Sequence, residues 1–274
     1  MLAVLAVTAL VSPWVTWAMA GFTTHSYSFA RVFDRVFEVL LVIAMLLAWR
    51  PLDLGGATEI GLRGGRPAHW LGRGLAIGVA GLAVGLAVCW LFGGIEIALR
   101  YPPAKTVRKA FLGLCAAVAI GVGEEALFRG VLLRRLRRDA GPVVAVVVST
   151  LVYAVVHVLR VRHSVGPVDA WAGIAQARAL LAPLASGAAA PEVGGLVLLG
   201  LLLAMARLRT GSLWTPIGIH AAWVAVFRVG RLFFDLRQHP TWLVGGGWPP
   251  LVGGAAGWIA AAVCALLLCR TSPR

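Results

Sequence analysis

The chain has 274 residues, 60% of them hydrophobic and only 13% charged, about half the charged share usual in soluble domains. A soluble core of this size cannot hide so much apolar surface, and repeated apolar runs approach the ~20 residues that a helix needs to cross a bilayer, so lipid is the expected solvent. The net charge of +14, almost all arginine, falls in the gaps between those runs without interleaved aromatics; it reads as loop charge beside lipid headgroups, and no nucleic-acid partner is expected.

Apolar runs predict spans near 1–20, 33–49, 74–99, 110–133, 142–159, 193–206, 216–234 and 249–269. They are continuous rather than alternating, which excludes a barrel. The fold class is all-α, a polytopic transmembrane helical bundle of about eight spans. Three parts are expected: N-terminal spans over 1–109, a helical core over 110–234 and a C-terminal span over 235–274. The first run ends Ala18-Met19-Ala20-Gly21, which mimics a signal-peptidase site, but no basic residue precedes it and an uncleaved span is favoured. Arg50 to Arg73 reads as an extramembrane loop, and Val168 to Leu184, interrupted by Gln176, Arg178 and Pro183, as an interfacial or partly inserted segment. Cys89, Cys115, Cys264 and Cys269 show no metal or disulfide spacing and read as small apolar fillers. Basic residues divide evenly between the two faces, so only the Arg134 to Arg138 cluster leans its face toward the cytoplasm.

The fourth run contains Gly123-Glu124-Glu125-Ala126-Leu127-Phe128-Arg129. Each charge there costs about 2.5–3.5 kcal/mol on insertion scales. Glu124 lies roughly 22 Å from Lys109 and roughly 15 Å from Arg134 along a helix, too deep for so short a side chain to snorkel. Glu125 and Arg129, four apart, share a face and can neutralise one another. Glu124 points about 100° away and is the acid left for chemistry.

The fifth run carries His157, with Tyr153 one turn earlier. The turn between these runs is expected at Ala140-Gly141, before Pro142, which puts Glu124 and His157 at equal depth, roughly 25 Å from it. An acid and an imidazole at one depth suit activation of a water. The seventh run starts at Pro216 and presents His220, only about 6 Å along the helix, a depth that fits poorly with Glu124. A short sixth run, about 21 Å over 193–206, would let the loop from Thr210 to Thr215 be recessed and bring His220 down. His25, His69, His163 and His239 fall in expected loops and receive no role.

At these residues the chain resembles the CAAX-processing and bacteriocin-immunity family of intramembrane proteases, marked by E-E-x-x-x-R, F-x-x-x-H and H-x-x-x-N on three helices. The first motif is complete as Glu124-Glu125 to Arg129; the second appears as Tyr153 to His157, with tyrosine for phenylalanine; the third has His220 but ends at Val224 in place of asparagine. The run from Arg209 to Pro216 also looks like the family's approach to that histidine.

The resemblance implies an intramembrane endopeptidase in which Glu124 is the general base, His157 helps it polarise a water, and His220 stabilises the oxyanion, a role normally shared with the asparagine. Glu125 and Arg129 would hold the scaffold. The implied substrate is a membrane-embedded or lipid-modified protein, and the expected location is the bacterial inner (plasma) membrane. Zinc on a glutamate, His157 and His220 is the competing chemistry. The H-E-x-x-H spacing is absent, so a metal-independent glutamate mechanism is favoured. A non-catalytic membrane scaffold and a proton-coupled transporter are the alternatives from other classes; the chain shows no second copy of the Glu-Glu element that an internal repeat would bring.

Overall fold

Lipid offers backbone amides no partner, so a spanning chain must satisfy them within its own helices. The computed structural model of this chain meets that demand, and it describes residues 2–22, 27–48, 56–63, 66–159, 164, 166–236, 240–247 and 249–271. The helices in chain order are α1 (Leu2–Phe22), α2 (Phe29–Ala48), α3 (Pro67–Leu91), α4 (Pro103–Glu125), α5 (Leu133–Val158), α6 (Ala172–Ala185), α7 (Ala190–Thr210), α8 (Trp214–Val229), α9 (Thr241–Val244) and α10 (Ala255–Thr271). A π-helical segment, Ala126–Leu132, joins α4 to α5. The strands β1 (Ile95–Ile97) and β2 (Phe234–Leu236) pair antiparallel, with Ile95 opposite Leu236 and Glu96 opposite Asp235. By length and composition Ala3–Phe22, Pro67–Leu91, Pro103–Val158 and Ala190–Thr210 can cross a membrane, with Ala255–Arg270 a shorter apolar helix. The protein is a helical membrane bundle.

Each apolar run contains a helix, with boundaries moved for identifiable reasons. The third run stops at Leu91, because Gly93 (φ 71°) and Gly94 close the helix end through Gly94 N–H to the Cys89 carbonyl at 2.7 Å; β1 follows where helix was expected to 99. The expected loop ends early: Pro67 opens α3, so His69 and Arg73 are helical, with Arg73 over the Trp70 ring. Pro103 likewise opens α4 ahead of its charges. The eighth run loses its first residues, through Pro249-Pro250 and Gly253-Gly254, to a turn. The segment of uncertain depth folds as α6, and Cys115 and Cys269 are exposed rather than packing as fillers. His25, His163 and His239, with residues 49–55 and 64–65 of the expected loop, lie outside the described residues.

Two compact units divide the chain. Met1–Leu54 with Val156–Ala189 forms one, in which α6 crosses α1 where Gly173 meets the Ala9 backbone, and the Trp17 indole donates to the Val168 carbonyl at 3.3 Å. Gly55–Val155 with Ala190–Arg274 forms the other. The boundary falls inside α5, which continues unbroken through Val158, so His157 is carried by the same helix as Tyr153.

In the second unit, α3 is the packing hub. Its glycines form two bare faces, Gly74 and Gly78 against α8, Gly81 and Gly85 against Cys264, Ala260 and Ala256 of α10. Close approach through small residues is what drives helix association where lipid removes the hydrophobic effect. A Cβ at Gly78 would lie 2.7 Å from the Ala222 Cβ and 3.1 Å from the Ile219 carbonyl oxygen, whereas one at Gly72 would meet nothing within 4 Å. Gly78→Val should therefore push α8 away and lower stability by about 1–3 kcal/mol. Gly72→Ala should leave it equal or slightly higher. Thermal unfolding of the two variants in detergent checks the pair, and equal midpoints would refute the glycine contact.

Candidate active site

The last turn of α4 places two adjacent carboxylates in different surroundings. Glu125 is 0% exposed, while the Glu124 side chain is 30% exposed. The expected Glu125–Arg129 pair forms at 2.9 Å, with Arg129 itself 2% exposed. Arg129 also donates from Nη2 to the Gly200 carbonyl on α7 at 3.1 Å, and its guanidinium lies 4.4 Å from the Tyr153 ring centroid. Gly200 is bare for a reason: a Cβ there would sit 2.9 Å from Thr150 Cγ2 and 3.3 Å from the Tyr153 ring. Arg129 falls inside the π-segment, a departure from α geometry that recurs at functional sites.

His220 is buried and reaches both acids. Its Nδ1 lies 2.8 Å from Glu125 Oε1, the oxygen that also takes Arg129, and its Nε2 lies 3.7 Å from Glu124 Oε2. Tyr153 meets the His220 ring edge-on, centroids 6.1 Å apart, and meets Phe128 at 5.2 Å. The sequence left the depth of His220 unresolved and looked to a short α7. That device is absent: α7 has 21 residues, about 31 Å, because Arg207 and Arg209 continue its last turn. Instead a strap lies against the start of α8. Leu213 N–H donates to the Gly61 carbonyl at 3.1 Å, the Trp214 indole donates to the Leu62 carbonyl at 3.0 Å, and Glu59 pairs with Arg134. Leu213 and Thr215 are fully buried, Thr215 against Gly74 of α3, so the start of α8 lies inside the protein, beside residues 56–63.

Gly141, with φ 82° and ψ 169°, breaks α5 at the expected turn. From there the helix carries Tyr153 and, one turn on, a buried His157. Glu124, His157 and His220 each bring a ligand-type atom to within 4.8 Å of one another. That separation allows one water to contact more than one of them. It exceeds the ~3.3 Å edge of a tetrahedron with zinc bonds of ~2.0–2.1 Å, yet one carboxylate, two imidazoles and room for a fourth ligand are the donor types of a catalytic zinc. Val224 is half-buried one turn beyond His220 on α8 and carries no hydrogen-bond donor. The sequence did not foretell the Gly200 carbonyl, the π-segment or the second contact of Glu125; a glycine inside the apolar run of α7 was the one available signal.

Acid, imidazole and guanidinium from α4, the π-segment and α8 thus form a buried polar centre inside a helical membrane protein. The family model for type II CAAX prenyl endopeptidases, described as Rce1-like, matches residues 106–226, the segment that contains every one of these side chains. Over that segment, which is under half of the chain, the protein is similar to the CAAX protease family whose three motifs it carries, the third with Val224 for asparagine, and the likeness points to an enzyme of that kind. No curated protein and no solved structure matches.

The shared Glu125 oxygen makes its two partners interdependent. Arg129→Met leaves a buried carboxylate short of a cation and should cost about 3–5 kcal/mol, whereas Glu125→Gln with Arg129→Met together should recover a substantial part of that loss. A double-mutant cycle of denaturation midpoints in detergent measures it. Strict additivity would mean that the pair does not hold the helices.

Proposed function

We propose that the protein is an intramembrane endopeptidase that hydrolyses a peptide bond of a membrane-associated, prenylated or otherwise lipid-modified protein, with Glu124 as general base. The observation that carries this reading is the pairing of a structural and a free carboxylate about one imidazole: Glu125 holds Nδ1 of His220, and Glu124 faces Nε2. Glu124, part exposed, takes a proton from a water placed between it and His157. The hydroxide adds to the scissile carbonyl, and Glu124 returns the proton to the leaving amine. His220 in its imidazolium form donates Nε2–H to the developing oxyanion while Glu125 fixes the ring's orientation. Arg129 holds the Glu125 carboxylate in place. Were zinc the agent, Glu124, His157 and His220 would hold it, and it would supply a polarised water at neutral pH.

Glu124→Gln is nearly isosteric and should abolish cleavage of a tagged prenylated substrate in proteoliposomes while the protein stays folded and inserted. Cleavage at the wild-type rate would remove Glu124 from the mechanism and favour a scaffold. Activity should survive exhaustive chelation, with zinc well under one equivalent by elemental analysis. Loss on chelation that zinc alone restores would replace the glutamate mechanism with the metal one.

Val224 poses a sharper question, since losing one oxyanion donor typically costs ~10²–10³ in turnover. We propose that another donor near the site fills the place of the family's asparagine. Val224→Asn should then change turnover by less than about tenfold, and His220→Ala should abolish it. A hundredfold gain from Val224→Asn would instead show an incomplete oxyanion hole.

A further inference from the structure

At the end of α8 opposite the strap, a cavity of ≈ 240 Å³ opens beside the β1–β2 ribbon. Among the described residues it is lined by Arg100 and Arg231, by Asp235, and by an apolar wall that includes Val226, Phe227 and Phe234. Backbone bonds extend the ribbon past β1: Ala98 N–H donates to the Phe233 carbonyl at 3.0 Å and Arg100 N–H to the Leu232 carbonyl at 3.5 Å. They set Arg100 next to the turn that carries Arg231. Arg100 pairs with Asp235. Among the lining residues two arginines face one aspartate, an excess of one positive charge, in a pocket whose wall is mostly apolar; Glu96, opposite Asp235 in the ribbon, is not among them.

The surrounding side chains are of the kind that suits a membrane–water interface. Trp90, Phe92 and Trp242 are exposed, and the last two stack edge-on at 5.9 Å. Aromatic side chains of this kind gather at headgroup depth. Ile97 and Leu99 are 80% and 76% exposed, apolar groups that water would penalise and acyl chains would cover. On the neighbouring start of α4, Lys105 and Lys109 both lie 4.8 Å from the Tyr101 ring centroid, adding positive potential at the same level. None of these residues belongs to the proposed catalytic group. Arg231 lies eleven positions beyond His220, about 16 Å along the helix direction, too far to touch the reacting atoms.

We propose that this cavity is a binding site for the phosphodiester headgroup of an anionic phospholipid, held between Arg100 and Arg231, with its acyl chains against the apolar wall. A phosphodiester carries one negative charge, which matches the pocket's single excess positive charge, and Arg presents paired donors suited to phosphate oxygens. A zwitterionic lipid brings its own cation and gains less.

Native mass spectrometry of the full chain, with phosphatidylglycerol or phosphatidylcholine added at equal concentration, tests the site. One phosphatidylglycerol should be retained in preference to phosphatidylcholine. Arg231→Gln should weaken that retention about fivefold or more, Arg231→Lys should keep most of it, and both should unfold at the wild-type temperature. Arg209→Gln with Arg270→Gln, in the last turns of α7 and α10, should leave it unchanged. Equal retention by Arg231→Gln, or an equal loss from the distant pair, would overturn the proposal in favour of diffuse charge. Displacement of the lipid by millimolar inorganic phosphate would show a soluble-anion site in its place.

Discussion

One carboxylate oxygen, Oε1 of Glu125, holds this structure's polar interior together. It accepts from Arg129 at 2.9 Å and meets His220 Nδ1 at 2.8 Å, and Arg129 passes the linkage on to the Gly200 carbonyl. Through that oxygen α4 and the π-segment are tied to α7 and α8, while the Tyr153 ring on α5 covers the guanidinium. Any one of these charged groups alone would resist insertion. Together they form a unit that lipid tolerates, because each charge finds its counterpart inside the protein and not in the bilayer.

Such a network demands helices that approach closely, and the glycines supply the approach. Gly74 and Gly78 let α8 lie against α3, and Gly200 lets Arg129, Thr150 and Tyr153 share one layer. The strap holds the start of α8 separately. Residues 56–63 bond to Leu213 and Trp214 at the start of α8, and the histidine in its second turn sits among groups from the last turn of α4. His220 thus meets the acids of α4 although α7 is not short.

Side-chain chemistry was legible where it broke the apolar pattern. Glu124, Glu125, Arg129, His157 and His220 stood out because lipid should not tolerate them, and the turn at Gly141 followed from Gly before Pro. The Glu125–Arg129 spacing alone foretold their pair. Contacts that rest on backbone atoms left no such mark. The Gly200 carbonyl looks in sequence like any small residue in a leucine-rich run, and the Gly61 and Leu62 carbonyls lie in a segment whose composition reads only as loop. A π-turn leaves no periodic signature over seven residues. Helix ends moved for the same reason: hydropathy records where apolar character stops, whereas Pro67, Pro103 and the Gly93-Gly94 pair record where the backbone begins or ends a helix.

Placing two glutamates side by side resolves a conflict between holding and reacting. A carboxylate that anchors helices must keep its partners, which calls for fixed donors close at hand, as Glu125 has in Arg129 and His220. A carboxylate that moves protons must exchange them with water and then with a leaving group, which calls for access, as the 30% exposure of Glu124 provides. On an α-helix, neighbours diverge by about 100°, so one step in sequence separates the two environments without separating the two acids from a common imidazole. A spacing of three or four would have put both on one face and forced them to compete for His220 and Arg129. Adjacency makes His220 the hinge of the arrangement, with one nitrogen facing the anchoring Glu125 and the other facing Glu124, the proposed base.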